Sequence, residues 1–309
     1  MVTHVATLTV VVVNYNTRAL LDRCLNTVML SAREFGPDTD IWVVDNASRD
    51  GSVEMVREKY PTVRVVASAV NRGFGGGANL VIRLTRSLYV LIMNPDTEAI
   101  ADAPAALVRF AKENPRAGIV GGRLSYPDGR FQHSCFRFPD LAMSVIDTFP
   151  LSGRLVESPM NGRYPRRWYR YPFEVDHPLG AVMLARRSCL DRIGGFDESF
   201  FMYSEEIDLS WRARAAGFQV WYTPTAAFAH HSGAATAQFR GPMRVALRRS
   251  RGQFFDKHYG QSFRVADRMI AAVGLVRGVI RDVRDVRNGC LTAAEFAERR
   301  DAYRWLARL

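Results

Sequence analysis

Short apolar runs that end in polar clusters constrain the fold of this chain more than any other feature. The runs are Leu8 to Val13, Ile41 to Val44, Val63 to Val66 and Leu88 to Met93, and helical segments separate them. Strands that alternate with helices through short links predict parallel βαβ units in an open α/β sheet. Ligands bind such sheets at the carboxyl ends of the strands, so the polar residues that follow each run are the first candidates for a site.

Positive charge is concentrated at the end of the chain. The 309 residues carry a net charge of +11, and residues 240–309 hold 16 Lys or Arg against 7 Asp or Glu. This surplus predicts an anionic partner, which could be a lipid surface, a nucleic acid or a phosphorylated substrate. Apolar residues recur at helical spacing between arginines from Ala266 to Val286, which indicates an amphipathic basic helix. We therefore expect an α/β domain over residues 1–235 and a basic amphipathic helical extension over residues 236–309.

Cysteine usage and hydropathy favour the cytosol. Cys24, Cys135, Cys189 and Cys290 lie far apart in sequence, so neither a zinc knuckle nor a disulfide framework is indicated. No apolar run approaches the roughly 18 residues that span a bilayer. The first residues, Met1 to Val13, lack a basic segment and are interpreted as a core strand, not a signal peptide.

Two carboxylates follow predicted strands. Asp45 is well placed to accept hydrogen bonds from a nucleobase or a ribose, although Asp also forms turns and caps helices. Asp96, in Asn94-Pro95-Asp96, could hold a divalent cation through oxygen. Such a cation would bridge diphosphate oxygens and neutralise a departing nucleotide.

A glycine-rich stretch lies between these carboxylates. Four of the five residues from Gly73 to Gly77 are glycine, which lets backbone amides approach an anionic ligand closely. The stretch matches neither the Walker spacing nor the dinucleotide fingerprint. A flexible loop remains the alternative.

An acidic pair and a histidine complete the candidates. Glu205 and Glu206 open a predicted helix, where the helix dipole favours acidic residues whatever their role. Adjacent helical residues point about 100° apart, so one carboxylate can face a cavity as a base while the other anchors the helix. His230 follows a short strand and could complete a metal shell.

Together these segments resemble the inverting glycosyltransferases of family 2. The resemblance covers about residues 8 to 235 and rests on five blocks in the family's order. They are the segment ending in Asn14-Tyr15-Asn16, Asp45 to Ser48, Asn71 to Asn79, Asn94-Pro95-Asp96, and Gly194 to Arg212 followed by Ala229 to Gly233. Within the family, the chain most resembles the rhamnosyltransferase-like branch that builds bacterial cell-surface polysaccharide.

The resemblance implies a glycosyltransferase A fold, a sugar-nucleotide donor and a Mg²⁺ or Mn²⁺ ion. It implies that the donor is bound by one set of residues: Asn14, Tyr15, Asn16, Asp45, Arg72, Gly73, Asn79 and Asp96. Asp96 and His230 match the family's metal-binding positions, and Glu206 matches its catalytic base. The first Asp of the family's Asp-x-Asp motif is Asn94 here, and the base is Glu instead of Asp, so Glu205 stays open as an alternative to Glu206.

The expected reaction is a single in-line displacement that inverts the anomeric carbon. Our best expectation is L-rhamnose transfer from TDP-rhamnose to a polyprenyl-diphosphate-linked or other saccharide acceptor. Donors such as UDP-galactofuranose or UDP-N-acetylglucosamine remain alternatives, and a nucleotidyltransferase is a weaker one. The acidic strand ends and the lack of a recognition motif oppose nucleic-acid binding. We expect a cytoplasmic enzyme held on the inner face of the plasma membrane by its basic helices, with homo-oligomerisation left open.

Overall fold

The computed structural model of the chain describes residues 6–35, 38–149, 152–233, 240–292 and 296. The first elements are β1 (Leu8–Asn14), α1 (Arg18–Phe35), β2 (Thr39–Asp45), α2 (Ser52–Lys59), β3 (Arg64–Ala67), α3 (Gly73–Leu84), β4 (Tyr89–Met93), β5 (Thr97–Ile100), α4 (Ala103–Glu113), β6 (Ala117–Ser125), β7 (Phe131–Gln132) and β8 (Cys135–Phe136). The later elements are α5 (Leu141–Thr148), α6 (Gly153–Val156), β9 (Phe173–Glu174), β10 (His177–Pro178), β11 (Val182–Arg186), α7 (Arg187–Ile193), α8 (Glu205–Ala215), β12 (Gln219–His230), α9 (Arg240–His258) and α10 (Gln261–Arg287).

One mixed sheet organises the fold, with the strand order β3-β2-β1-β4-β11-β6-β12-β5. The strands β3, β2, β1 and β4 are parallel, as the βαβ pattern of the sequence predicts. Beyond β4 the sheet becomes mixed, because β11 runs antiparallel to β4 and β6 while β12 runs parallel to β6. The predicted α/β class is confirmed, but the antiparallel strands β11 and β5 were not foreseen.

Both faces of the sheet are buried, which explains the continuous apolar runs. In β1, Val10 and Val12 join one hydrophobic cluster, whereas Val11 and Val13 join the other. Residues of α1, α2 and α4 cover the first face, and residues of α3, α7 and α8 cover the second. The layered packing fixes the carboxyl ends of β1, β2 and β4 side by side.

Two features of the second half differ from the sequence expectation. The Pro- and Arg-rich stretch from Phe136 to Pro178 was interpreted as an irregular excursion, yet it contains α5, α6 and two 3₁₀ helices at Pro159–Asn161 and Arg166–Arg170. The two short strands expected around residues 218–222 and 226–229 are one strand, β12, with an irregularity between Thr223 and Ala227. That bulge interrupts the apolar pattern and made one strand look like two.

The chain divides into two compact units. The first comprises residues 1–138 and 164–238, and the second comprises residues 139–163 and 239–309. The first unit contains the sheet, and the second contains α5, α9 and α10. The boundary after residue 235 stays a prediction. Within the described ranges, no helix combines the length and the apolar character that a bilayer crossing requires.

Candidate active site

A hydrogen-bonded network joins the ends of β1 and β2. The Asn14 side-chain amide donates to Asp45 Oδ1 at 2.9 Å and to Ser48 Oγ at 3.1 Å. The Thr17 hydroxyl donates to Asn14 Oδ1 at 2.6 Å, and the Ser48 backbone N–H donates to Asp45 Oδ2 at 2.8 Å. Asn14 and Asp45 are buried, so these bonds satisfy groups that would otherwise be costly to desolvate. Asn14 and Asp45, which are both predicted to bind the sugar-nucleotide donor, are therefore in direct contact.

Asn16 tightens the same network. Its backbone lies in the left-handed region at φ 52°, which an Asn adopts more readily than most residues. Its N–H donates to Ser48 Oγ at 2.9 Å, and its Oδ1 accepts from the Arg49 backbone N–H at 2.7 Å. Tyr15 lies half-buried between Asn14 and Asn16. The turn after β1 is thus held in a fixed shape by the turn after β2.

The glycine-rich stretch is the first turn of a helix, not a flexible loop. The helix α3 begins at Gly73, whose carbonyl accepts from the Asn46 side-chain amide at 2.9 Å. Gly73 has φ +73°, and a Cβ there would lie 1.8 Å from the Phe201 carbonyl oxygen, so only glycine fits. Arg72, exposed, precedes the helix. The positive end of the α3 dipole lies beside this arginine.

Asn79 bonds the protein itself. Its amide nitrogen donates to the Phe196 carbonyl at 2.9 Å and to Glu198 Oε1 at 3.0 Å, and its Oδ1 accepts from the Phe196 N–H at 3.0 Å. Hydrogen bonds from Arg83 and Asn79 lower the pKa of Glu198. Asn79 therefore holds α3 against the segment that leads into α8. Its contact with the sugar-nucleotide donor stays a prediction.

Asp96 and His230 meet although 134 positions separate them. The strands β5 and β12 pair Thr97 with His230, which brings His230 Nε2 to 3.4 Å from Asp96 Oδ1. Both side chains are buried. The other ring nitrogen of His230, Nδ1, lies 3.0 Å from the Gln132 side-chain nitrogen and 3.2 Å from its oxygen. Gln132 thus fixes the orientation of the imidazole ring.

The side chains of Asp96 and His230 are suitable ligands for a divalent cation. Asp96 Oδ1 is a buried oxygen with no hydrogen-bond partner, which is a costly state for a carboxylate unless a cation binds it. A carboxylate oxygen and an imidazole nitrogen are both established metal donors. Across the described residues, no group of three or more His, Cys, Asp or Glu side chains gathers around a common point. A Mg²⁺-like ion that keeps waters and binds phosphate oxygens needs only one or two protein ligands.

The second histidine of the pair takes another partner. His231 Nε2 lies 2.7 Å from Glu98 Oε1, while its backbone N–H donates to the Asp96 carbonyl at 2.9 Å. Successive side chains of a strand point to opposite faces, so only one of the two rings can face Asp96. The structure assigns that position to His230.

Glu205 and Glu206 open α8 behind a strained turn. Tyr203 and Ser204 both have positive φ, at 66° and 65°, and such strain clusters at functional sites. Glu205 is buried, and its Oε2 has no hydrogen-bond partner. Burial, together with the charge of Glu206, raises the pKa of Glu205 well above its usual value. Burial also raises the pKa of Glu206 to about 7, and backbone hydrogen bonds oppose this rise.

Glu206 is connected to the turn that contains Asp96. A Cβ on Gly180 would lie 3.5–3.7 Å from the Glu206 side-chain carbons, so Glu206 packs against this glycine. The next residue, Ala181, accepts a hydrogen bond from the Asn94 backbone N–H at 2.9 Å. The segment 180–181 therefore links the acidic pair to the Asn94-Pro95-Asp96 turn.

A buried ion pair orients α8. Asp208 is fully buried and lies 2.7 Å from Arg212 Nε. Arg212 also donates to the Ile193 carbonyl at 2.7 Å and to the Gly195 carbonyl at 2.8 Å. These bonds tie the helix to the turn at Gly194-Gly195 and so hold the acidic pair in place.

The predicted residues fall into three contacting groups. They are the network of Asn14, Asn16 and Asp45, the pair of Asp96 and His230, and the α3 start with Arg72, Gly73 and Asn79, which packs on the segment before Glu205 and Glu206. Sequence reasoning missed Gln132 and Gly180, because neither lies in a recognisable motif. Asp128-Gly129 predicts the turn that the structure has between β6 and β7, but this turn does not indicate that Gln132 contacts His230.

Comparison with protein families decides the class of this chain. Its residues 9–194 match the model of glycosyl transferase family 2. The chain belongs to glycosyl transferase family 2. It is a glycosyltransferase, so the predicted family and enzyme class are confirmed, and a nucleotidyltransferase is set aside.

Individual relatives of this glycosyltransferase include rhamnosyltransferases. The chain is 30% identical to the N-acetylglucosaminyl-diphospho-decaprenol L-rhamnosyltransferase of Mycobacterium tuberculosis, over 82% of the chain and 85% of that relative. It is 28% identical to rhamnosyltransferase WbbL of Escherichia coli, over 52% of the chain and 62% of that relative. The predicted similarity to the rhamnosyltransferase-like branch is confirmed.

Solved structures agree with the predicted fold. The mannosyltransferase PcManGT from Pyrobaculum calidifontis, solved with GDP-mannose and Mn²⁺, matches with a TM-score of 0.58 at 16% identity. The match covers 98% of the chain and 86% of the mannosyltransferase. The glycosyltransferase A fold expected from the sequence is confirmed.

Proposed function

We propose that this glycosyltransferase transfers L-rhamnose from TDP-rhamnose to a polyprenyl-diphosphate-linked N-acetylglucosamine saccharide in cell-wall or surface-polysaccharide synthesis. The observation that carries the proposal is the 30% identity to the mycobacterial rhamnosyltransferase along most of both chains. The candidate site supports it, because a fixed hydrogen-bonding network and an Asp96 oxygen without a hydrogen bond lie at the ends of neighbouring strands, and Glu206, whose pKa is raised to about 7, opens α8.

The donor binds along the ends of β1, β2 and β4. Asn14, Tyr15, Asn16 and Asp45 hold the nucleoside, and the fixed turns that they form reduce the entropy lost on binding. Arg72 supplies positive charge for the diphosphate at the start of α3, and Gly73 lets the backbone approach it.

Asp96 and His230 would hold a Mg²⁺ or Mn²⁺ ion. Such an ion, when bound, neutralises the negative charge that develops on the departing diphosphate. Gln132 keeps the His230 Nε2 directed toward Asp96, as the outer partner of a ligating imidazole usually does.

Glu206 acts as the general base. Its carboxylate takes the proton from the acceptor hydroxyl, whose oxygen attacks the anomeric carbon from the face opposite the nucleotide. The bond between that carbon and the diphosphate oxygen breaks, and the nucleoside diphosphate leaves with the electron pair. A single displacement inverts the anomeric configuration and needs one base. A pKa near 7 suits proton transfer at neutral pH.

A transfer screen tests the donor and the acceptor. The full chain is incubated with Mg²⁺ or Mn²⁺, a short-chain polyprenyl-diphospho-N-acetylglucosamine and a panel of TDP- and UDP-sugars, and products are identified by mass spectrometry. We expect a mass gain of one deoxyhexose with TDP-rhamnose. Transfer from UDP-galactofuranose or UDP-N-acetylglucosamine, with none from TDP-rhamnose, would replace the donor in this proposal and leave the family unchanged.

A membrane-linked acceptor places the enzyme at the inner face of the plasma membrane, and α10 suits that position. Its exposed apolar side chains are 53–64% exposed and follow a spacing of four, four, three and four residues: Val265, Met269, Val273, Val276 and Ile280. Arg268, Arg277, Arg281 and Arg284 are also exposed, whereas Asp267 and Asp282 are buried. An exposed helix face of arginine and apolar side chains fits an anionic lipid surface.

Vesicle binding tests the α10 contact. In the full chain, Met269→Glu combined with Val276→Glu should weaken sedimentation with phosphatidylglycerol vesicles, while Gln substitutions at the exposed Arg57 and Arg192, which lower the net charge by the same two units, should do so less. Equal weakening by both variants would mean that net charge alone, and not α10, drives binding.

A further inference from the structure

One exposed turn of the first unit is rich in arginine and aromatic residues that the proposed reaction does not use. We call residues 165–173 the arginine–aromatic turn. It carries Arg166, Arg167, Trp168, Arg170 and Tyr171, and no Asp or Glu occurs between residues 158 and 173. Its centre is a 3₁₀ helix at Arg166–Arg170. A run of arginines between Glu157 and Glu174 that contains no acidic residue attracts an anionic partner.

One buried tyrosine, Tyr169, attaches the arginine–aromatic turn to the rest of the unit. Tyr169 is only 6% exposed. Its hydroxyl donates to the Cys135 carbonyl at 2.9 Å and lies 3.1 Å from His133 Nδ1. The Tyr222 hydroxyl donates to the Tyr169 carbonyl at 3.0 Å, and the two rings meet edge to face at 5.0 Å. The turn therefore sits on the sheet in a fixed orientation.

The side chains next to Tyr169 are exposed. Trp168 is 41% exposed and Tyr171 is 70% exposed, and Arg167 and Arg170 are exposed as well. With Phe173 they line an open cavity of about 370 Å³. Large rings and guanidinium groups are thus displayed together on a fixed support.

We propose that the arginine–aromatic turn docks into the headgroup layer of an anionic lipid membrane. Trp and Tyr rings are enriched at the level of the headgroups, because one end of each ring is apolar and the other is polar. Guanidinium groups bind phosphate oxygens with two parallel hydrogen bonds, and basic residues near an anionic leaflet strengthen attachment. The turn lies in the same unit as Glu206, so this docking brings the unit that contains the sheet to the membrane surface. Only the link to a membrane-bound acceptor rests on the proposed function.

Vesicle partitioning of full-length variants tests the docking. The test variant combines Arg167→Gln, Arg170→Gln and Tyr171→Ser, and leaves Tyr169 in place. The control combines Arg57→Gln with Arg192→Gln, which removes the same charge from exposed positions of the same unit. With vesicles of phosphatidylglycerol and phosphatidylcholine, we expect the partition coefficient of the test variant to fall at least about tenfold, since each arginine contributes roughly fivefold. The control should change less than about threefold, and thermal unfolding should confirm that both variants fold.

Tryptophan quenching gives a second readout. Among the tryptophans in the described ranges, Trp168 is the one that is largely exposed. Brominated phosphatidylglycerol should quench the wild-type fluorescence, and Trp168→Phe should remove most of this quenching while vesicle binding persists. Unchanged quenching in Trp168→Phe, or equal partitioning of the test and control variants, would overturn the docking.

Transfer to a water-soluble acceptor separates the two proposals. The test variant should keep wild-type transfer to a short-chain acceptor free in solution. Loss of affinity for that acceptor, with vesicle binding unchanged, would mean that the turn binds the acceptor's diphosphate instead of lipid headgroups, and would overturn the docking. If the wild type transfers nothing, the proposed function fails, while the partitioning and quenching results still decide whether the turn docks.

Discussion

The two ends of the candidate site are built in opposite ways. At the ends of β1 and β2, the polar groups of Asn14 and Asp45 bond to each other and to Ser48. At the other end, Asp96 Oδ1 and Glu205 Oε2 are buried without hydrogen-bond partners. A satisfied network stabilises the fold, whereas an unsatisfied buried carboxylate costs stability. The difference indicates that the ends of β1 and β2 form a rigid binding surface. The end with Asp96 and Glu205 is satisfied only when a ligand binds.

The largest expected effect separates the two glutamates. Glu206→Gln should lower kcat by about 10²–10⁴-fold, because the acceptor hydroxyl loses its base. Glu205→Gln should keep kcat within about threefold, since burial and the charge of Glu206 raise the pKa of Glu205 and disfavour its ionised form. Steady-state transfer assays measure both, with calorimetric donor binding as the control. A loss confined to Glu205→Gln would exchange their roles.

The next effect concerns the positioning of His230. Gln132→Ala should weaken Mn²⁺ binding by about 10–100-fold, as is typical when the outer partner of a ligating histidine is lost. Gln132→Glu keeps an acceptor for the His230 ring and should restore most of the affinity. Calorimetric Mn²⁺ titration measures this, and equal affinity in wild type and Gln132→Ala would show that Gln132 has no positioning role.

Stability measurements test the contrast itself. Asp45→Ala removes one of the two hydrogen bonds that the Asn14 amide donates and leaves the Ser48 N–H without its side-chain acceptor, so the free energy of unfolding should fall by about 1–3 kcal/mol per unsatisfied group. Asp96→Asn removes a buried carboxylate oxygen that has no hydrogen bond and should leave this free energy unchanged or raised. Denaturant unfolding gives both values. Destabilisation by Asp96→Asn equal to that by Asp45→Ala would remove the distinction between the two ends.

The smallest effect is a pH dependence. Burial raises the pKa of Glu206 from 4.5 to about 7, and only the ionised carboxylate acts as a base. The value of kcat/KM should therefore fall about tenfold per pH unit below 7 and level off above it. The free energy of unfolding should have the opposite pH dependence. The Glu206 carboxyl stabilises the folded state below pH 4.5, and this contribution is lost as the pH rises through about 7. A flat kcat/KM between pH 5.5 and 8 would exclude Glu206 as the base.

The sequence predicted the fold where local pattern and topology agree. The strands and helices from Leu8 to Met93 follow the apolar periodicity, and α2 has the predicted bounds, Ser52–Lys59. The pattern missed that β11 inserts antiparallel between β4 and β6, because strand order depends on long-range packing. It also left a flexible loop open for the glycines before Ala78, since glycine is unfavourable within helices. The structure has them in α3, where close contact with the Phe201 carbonyl requires glycine at Gly73.

The residues of the candidate site could be predicted only where they follow strands of the predicted sheet. Asn14, Asp45 and Asp96 follow strands, so their positions could be inferred from the sheet. A shared metal site of Asp96 and His230 was suggested by their positions after strands and by the family resemblance, whereas their contact depends on the pairing of β5 with β12, which no local pattern predicts. Gln132 and Gly180 reach the site through tertiary contacts, for which local sequence holds no signal.

We expect Asp96 and His230 to bind a metal ion together with the nucleoside diphosphate. Mn²⁺ binding in the presence of TDP tests this expectation most directly. Electron paramagnetic resonance can follow free Mn²⁺ as wild type, Asp96→Ala and Asp45→Ala are titrated. The wild type should bind Mn²⁺ more tightly with TDP than without it, and Asp96→Ala should lose that binding by tenfold or more. Asp45→Ala should keep Mn²⁺ binding in the absence of TDP. Equal Mn²⁺ affinity in wild type and Asp96→Ala would contradict the account.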